Sequence, residues 1–77
     1  MDPTQVTSPK DRLRNLRILY RHVNKWSLAA FEWWEDNQWS ERIGIRWDGE
    51  EGALGMPQAS GYPIWFVLPE GPDMEEL

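Results

Sequence analysis

The chain has 77 residues, six of them tryptophan, with no cysteine and a formal net charge of −5. A chain of this length forms one small domain, and the absence of cysteine excludes disulfide bridges, thiolate zinc sites and thiol nucleophiles. The N-terminal residues show no secretion signal and no apolar stretch reaches membrane-spanning length, so the sequence predicts a cytoplasmic protein.

Charge is divided unevenly along the chain. Residues 1–25 carry six basic and two acidic side chains, a net of +4, whereas residues 26–77 carry two basic and eleven acidic ones, a net of −9. Such a division indicates either a nucleic-acid-binding face on an acidic body or charges that pair within the fold or between subunits. We favour pairing, because the overall acidity repels phosphate at long range.

The N-terminal segment predicts a loose arm over residues 1–7, followed by a short helical turn. Ser8 can cap a helix, Pro9 suits the first helical position, and the Asp11 carboxylate can return a hydrogen bond. We therefore expect one folded domain over residues 8–70 and a solvated acidic tail over 71–77.

Two periodicities fit the segment from residue 13 to residue 23. A helix would align Leu13, Leu16, Leu19, Tyr20 and Val23 on one face. A strand would instead align Leu16, Ile18 and Tyr20 on one side. We favour a strand over about 14–21, since residues 23–25 then form a turn into the apolar segment 26–34, and a long amphipathic helix is the alternative.

The next segments predict a β-hairpin. Residues 35–38 are polar turn formers, and the strand that follows alternates between an apolar and a polar side. The apolar side carries Trp39, Ile43, Ile45 and Trp47, and the polar side carries Ser40, Arg42, Arg46 and Asp48.

Glycine and proline dominate the stretch from residue 49 to residue 62, which predicts a long loop. We expect Arg46 and Asp48 to fix this loop, with Gly49 and Gly61 shaping it. Residues 63–69 then predict a strand that is apolar on both faces and bracketed by prolines. The predicted fold is a mainly β single domain, a curved antiparallel sheet of three or four strands or a small barrel.

Two short motifs carry a resemblance. Residues 44–49 contain an Arg-Trp-Asp-Gly turn, and residues 56–69 contain Met-Pro, Ser-Gly and Pro-Ile-Trp-Phe in succession. In these motifs the chain resembles small bacterial proteins without an established activity that are encoded on plasmids, prophages and integron cassettes. The resemblance spans roughly residues 14–70 and implies a mobile-element setting and a β fold.

Catalytic chemistry has few candidates. His22 is the single histidine and lies in a predicted solvated turn. No Gly-rich phosphate loop, nucleophile elbow or metal-ligand spacing occurs, and the adjacent acids Glu50 and Glu51 fit a solvated turn. The sequence therefore predicts no enzyme activity, no cofactor and no metal.

Aromatic surface is the better candidate for function. About four of the six indoles are expected in the core, because a buried tryptophan removes about 200 Å² from water in a marginally stable domain. Trp33 and Trp34 are adjacent, so a strand points them to opposite faces. We predict a homo-oligomer or a protein partner, contacted through Trp33, Trp34, Trp39 and Tyr62.

Two other functions fit the charges. Nucleic acid would bind through Arg14, Arg17, Arg21 and Lys25 with a tryptophan stacked on a base, unless these arginines pair with Glu32, Glu41 or Asp48 across the sheet. An acidic inhibitor that imitates nucleic acid would use the carboxylates of Glu32, Glu35, Asp36, Glu41, Glu50, Glu51 and the tail.

Overall fold

A computed structural model describes residues 1–69, and it is built around one antiparallel sheet. The elements are a 3-10 helix at Pro3–Gln5 and strands β1 (Leu13–His22), β2 (Trp26–Glu35), β3 (Gln38–Trp47), β4 (Gln58–Ala59), β5 (Tyr62–Pro63) and β6 (Phe66–Val67). The main sheet has the order β1-β2-β3-β6, and β4 and β5 form a separate hairpin. The mainly β class with a four-stranded antiparallel sheet is confirmed, and among the described residues β1 and β6 form its edges and do not pair with each other. The tail predicted over 71–77 lies outside the described residues.

The β2–β3 hairpin forms as predicted. Asp36 and Asn37 connect the strands, and their φ angles are 51° and 62°. A two-residue turn with both φ angles positive matches the right-handed twist of the flanking strands, and Asp and Asn tolerate this conformation. The two strands then stay in continuous register from the pair Glu35–Gln38 to the pair Trp26–Trp47.

Residues 13–22 form a strand, so the helical alternative for this segment is wrong. The strand is irregular, however, with register shifts between Arg14 and Arg17 and between Ile18 and Tyr20. Each bulge inserts an extra residue and so exchanges the faces of the residues that follow. Ile18 therefore packs against the core, whereas Tyr20 contacts the Trp26 ring at 4.8 Å on the opposite face. The expectation that both lie on one side is wrong.

One face of the sheet, the inner face, is covered by the chain itself. The buried cluster consists of Val6, Leu13, Ala29, Phe31 and Trp65. Gly44 of β3 lies beneath it, because a Cβ atom there would come within 2.6 Å of the Phe31 ring.

The N-terminal residues differ from the predicted loose arm. Val6 is fully buried, and its carbonyl accepts a hydrogen bond of 2.7 Å from the Trp65 indole. The helical turn is present but lies at Pro3–Gln5, where the Asp2 carboxylate accepts a bond from the Thr4 amide. Residues 8–12 form only a hydrogen-bonded turn, in which the Pro9 carbonyl accepts from the Leu13 amide at 3.0 Å.

The segment 63–69 is not one continuous strand, contrary to the prediction. Ile64 leaves the sheet because its amide donates to the Pro57 carbonyl at 3.1 Å. Trp65 then turns into the core, and only Phe66–Val67 pairs with β3. The loop predicted over 49–62 likewise contains the short β4–β5 hairpin, whose turn has positive φ at Ser60 and Gly61.

The tryptophans are less buried than predicted. Only Trp65 falls in the fully buried class, at 4% exposure, whereas Trp47 is 48% exposed. The other four indoles are half-buried. A single layer of three long strands cannot enclose six large rings, so much of the aromatic surface lies on the face that residues 1–69 leave open.

Candidate interaction surfaces

The sheet's second face, the outer face, carries an apolar patch. Side chains alternate along a strand, so the residues between the buried Ser27, Ala29 and Phe31 point outward. Outward pairs on β2 and β3 are Trp26–Trp47 and Leu28–Ile45, and Phe66 pairs beside Ile45. The patch consists of Tyr20, Trp26, Leu28, Ile45, Trp47, Met56 and Phe66.

The patch is open to solvent within the part of the chain that the structure describes. Tyr20, Trp47, Met56 and Phe66 are between 48% and 60% exposed. A shallow cavity of about 370 Å³ lies among Trp26, Ile45, Trp47, Met56 and Phe66. Monomeric proteins rarely leave a contiguous apolar surface of this kind uncovered without using it for recognition.

A charged band crosses the outer face next to the patch. Arg14 contacts Glu32 at 3.1 Å, and Arg17 pairs with Glu41. The Glu32 carboxylate accepts a hydrogen bond from Arg14 and a second one from Asn15. These bonds lower the pKa of Glu32, and the bond from Arg14 has the larger effect. The pairs neutralise two carboxylates that face each other across β2 and β3 and would otherwise repel.

Trp34 and Trp39 form an aromatic pair at the hairpin end of the same face. They are directly opposite each other on β2 and β3, and their ring centroids are 5.4 Å apart in an edge-to-face arrangement. The Arg14 guanidinium lies 4.0 Å from the centroid of the Trp39 ring. This contact is a cation–π interaction that ties the charged band to the aromatic pair.

The polar centre of the inner face is a buried ion pair. Arg46 Nε donates to Asp48 Oδ1 at 3.1 Å, with side-chain exposures of 0% and 1%. The Ser27 hydroxyl also donates to Asp48. Burial lowers the pKa of Arg46, and the neighbouring Asp48 carboxylate opposes that shift, which keeps the guanidinium charged.

The other donor groups of Arg46 bind carbonyl groups of the covering loop, which comprises residues 48–65 between β3 and β6. Arg46 donates to the Ile64 carbonyl at 2.8 Å and to the Leu54 carbonyl. The Asp48 amide donates to the Lys25 carbonyl at 2.7 Å, and Gly49 follows it with a φ of 72°. Arg46 and Asp48 therefore lie where residues that fix the loop would have to be. Gly61, which was predicted to shape the loop, lies in the β4–β5 turn.

A groove lies on the inner side of the sheet, and Ile64, whose carbonyl accepts from Arg46, is one of its lining residues. The groove has a volume of about 470 Å³ and runs between the turn at Pro9 and the β4–β5 hairpin. Its lining residues are Ser8, Pro9, Arg12, Trp33, Ala59, Tyr62 and Ile64.

The predicted contact residues therefore fall on two surfaces. Trp34 and Trp39 lie on the outer face, whereas Trp33 and Tyr62 line the groove. The contact residues predicted from the sequence do not include the patch residues Tyr20, Trp26, Trp47, Met56 and Phe66. The apolar side of β3 was visible in the sequence, but alternation alone does not tell which side of a strand faces the core.

The basic residues proposed for nucleic acid have partners within the fold. Arg14 and Arg17 pair as described, Arg21 lies 3.9 Å from Asp2, and the Lys25 ammonium lies 6.0 Å from the Trp47 ring centroid. The Arg14 and Arg17 pairs match the alternative in which the arginines pair across the sheet, whereas Arg21 pairs with Asp2 in the N-terminal segment.

Comparison of the chain with protein-family models, with curated proteins and with solved structures gives no match. In residues 1–69, no cluster of three or more histidine, aspartate or glutamate side chains has a metal-binding arrangement. That same portion contains no helix with the length and apolar character needed to span a membrane.

Proposed function

We propose that this protein is a non-enzymatic interaction module that self-associates through the outer face of its sheet. The observation that carries the proposal is the exposed patch around Trp47 and Phe66, which the described residues leave uncovered. Aromatic residues and methionine are enriched in the cores of protein interfaces, and all of them are present in this patch.

A second copy of the chain fits the charge of the outer face. The band contributes two arginines, Arg14 and Arg17, and two glutamates, Glu32 and Glu41, so its charge is balanced. The whole chain carries −5, and Glu50 and Glu51, which form no ion pair within residues 1–69, lie in the loop. Two copies can therefore join their outer faces without bringing like charges together, although the molecules as wholes repel.

The size of the face also suits a pair of chains. Three ten-residue strands, at about 4.8 Å between strands and about 3.4 Å per residue, cover roughly 500 Å² of flat area. A stable interface buries about 800 Å² of accessible surface per partner, so it would occupy the patch, the band and the Trp34–Trp39 end together. The product is a sandwich in which two sheets lie about 10 Å apart.

Sedimentation velocity over about a hundredfold concentration range, with tryptophan emission recorded on the same samples, tests the proposal. We expect a dimer whose emission shifts to the blue on association. Phe66→Glu should lower the dimer affinity by at least about a hundredfold, because it places a charge within the apolar patch that the interface would desolvate.

Tyr62→Glu is the matched control, since Tyr62 is 65% exposed but lies in the groove on the inner side. It should leave the dimer intact. A wild-type monomer at every concentration, with red-shifted emission, would contradict self-association and direct the search to a different protein partner.

The competing functions have weaker support. Nucleic-acid binding would require Arg14, Arg17 and Arg21 to exchange their carboxylate partners for phosphates. Imitation of nucleic acid would require free carboxylates, yet Glu32, Glu35 and Glu41 pair with arginines. The motif resemblance supports placing the module in a bacterial mobile element, and the sequence favours the cytoplasm.

A further inference from the structure

The groove on the inner side combines two aromatic rings with apolar walls. Trp33 forms one wall, and its inner edge contacts the Phe31 ring at a centroid distance of 6.2 Å. Tyr62, held on β5, stands on the other side, and Pro9 and Ile64 complete the apolar lining. The groove lies opposite the outer face, so a dimer joined through that face would leave it accessible.

A cation with no ion-pair partner among the described residues lies at the rim. The Arg12 guanidinium is 5.8 Å from the centroid of the Trp33 ring. Every other arginine of the chain forms an ion pair, whereas Arg12 has none among residues 1–69. Lys10, two residues earlier and exposed, likewise has no carboxylate partner within that range.

We propose that this groove binds an extended peptide segment of another protein, in which proline residues alternate with a carboxylate. Proline-rich segments are already extended, so they lose little conformational entropy on docking, and their rings fit between aromatic side chains. The volume of about 470 Å³ is within the range of ligand pockets. Arg12 supplies a charge-assisted hydrogen bond to the carboxylate, which gives the site a preference for acidic peptides.

Titration of the 15N-labelled protein with a synthetic peptide, followed through the indole N–H signals, tests this site. The probe is an acetylated peptide that repeats two prolines and one glutamate, and the comparison probe has lysine in place of glutamate. We expect the glutamate peptide to shift the Trp33 indole signal and to bind at least about fivefold more tightly than the lysine peptide.

Variants assign the binding to the groove. Tyr62→Ala should weaken the glutamate peptide about tenfold, and Arg12→Gln should reduce the preference for glutamate over lysine to less than about twofold. Both side chains are exposed, so neither change removes core packing. Tyr20→Ala, which removes an exposed tyrosine from the outer face, is the matched control and should leave peptide affinity unchanged even where it weakens the dimer.

Three results would overturn the proposal. One is the absence of a Trp33 shift at millimolar peptide, and another is equal affinity for the two peptides. The third is a peptide affinity that Tyr62→Ala leaves unchanged. The experiment measures the Trp33 indole signal and not the oligomeric state. Failure of the peptide proposal would therefore leave the self-association proposal standing, and the reverse also holds.

Discussion

The inner and outer faces of the sheet are both aromatic, yet residues 1–69 cover most of the inner face and little of the outer face. On the inner side, Phe31 and Trp65 are covered by the N-terminal residues and by the segment after β3. On the outer side, Trp47 and Phe66 have no such cover among residues 1–69. Apolar content therefore does not identify the core face. The core forms on the face against which the N-terminal residues and the segment after β3 pack.

Two arginines of β3 explain why the covering segments pack on the inner face of the sheet. An irregular segment leaves carbonyl groups without strand partners, and buried carbonyls need donors. Arg46 donates to Ile64 and Leu54, and Arg42 donates to the Leu68 carbonyl at 3.1 Å. An arginine side chain can serve several carbonyls at once, so these two residues hold the cover in place.

The largest expected difference between the faces concerns their ion pairs. Asp48→Ala leaves the buried Arg46 guanidinium without its carboxylate, and we expect it to lower the free energy of unfolding by about 3–5 kcal/mol. Glu41→Ala breaks the exposed pair with Arg17 on the outer face and should cost less than about 1 kcal/mol. Urea unfolding at one fixed protein concentration, low enough for the protein to be monomeric, measures both, and equal losses would contradict the distinction.

A smaller effect tests how closely the covering loop packs. Gly55 has a φ of 69°, and a Cβ atom there would overlap the Trp47 carbonyl oxygen. Gly52 has a φ of 86° but no atom within 4 Å of such a Cβ. Both alanine variants carry the cost of a positive φ, but only Gly55→Ala adds a steric overlap. Gly55→Ala should therefore be less stable than Gly52→Ala by about 1–3 kcal/mol in thermal or urea unfolding. Equal stability would mean that the loop does not pack tightly on the strand.

The smallest effect is a pH dependence on the outer face. The pKa of Glu32 is lowered in the fold, so its carboxylate stabilises the protein above its unfolded pKa, near 4.5, and this contribution is lost as pH falls through the folded value. Glu32→Gln should therefore be less stable than the wild type at neutral pH, and the two should converge in acid. Glu51→Gln, which changes an exposed loop carboxylate, is the control and should match the stability of the wild type at neutral pH in the same urea series.

Much of the fold could be predicted from local signals. The turn residues between β2 and β3 and the alternation of Trp39–Trp47 determine the hairpin, because both depend on neighbouring residues alone. The choice of strand over helix for residues 13–22 was also correct. The bulges in β1 could not be predicted, since Asn15, with a φ of 55°, resembles any other polar strand residue in the sequence.

The candidate sites were harder to predict, because they depend on long-range packing. Trp65 enters the core by bonding to Val6, a contact between residues 59 positions apart in the chain. That contact ends the continuous strand predicted over 63–69 and leaves Phe66 on the open face. Trp33 and Tyr62 were selected as aromatic contacts, but their meeting in one groove depends on the β4–β5 hairpin, which the sequence presented as a loop.

The edge strand β1 has a consequence for the size of any assembly. Its two bulges and its row of arginines interrupt the straight ladder of backbone groups that another strand would need for pairing. Copies that met edge to edge would offer a fresh edge after each addition and could grow into a fibre. Two copies that bind only through their outer faces leave no second outer face free for a third copy. The assembly therefore stops at a closed dimer.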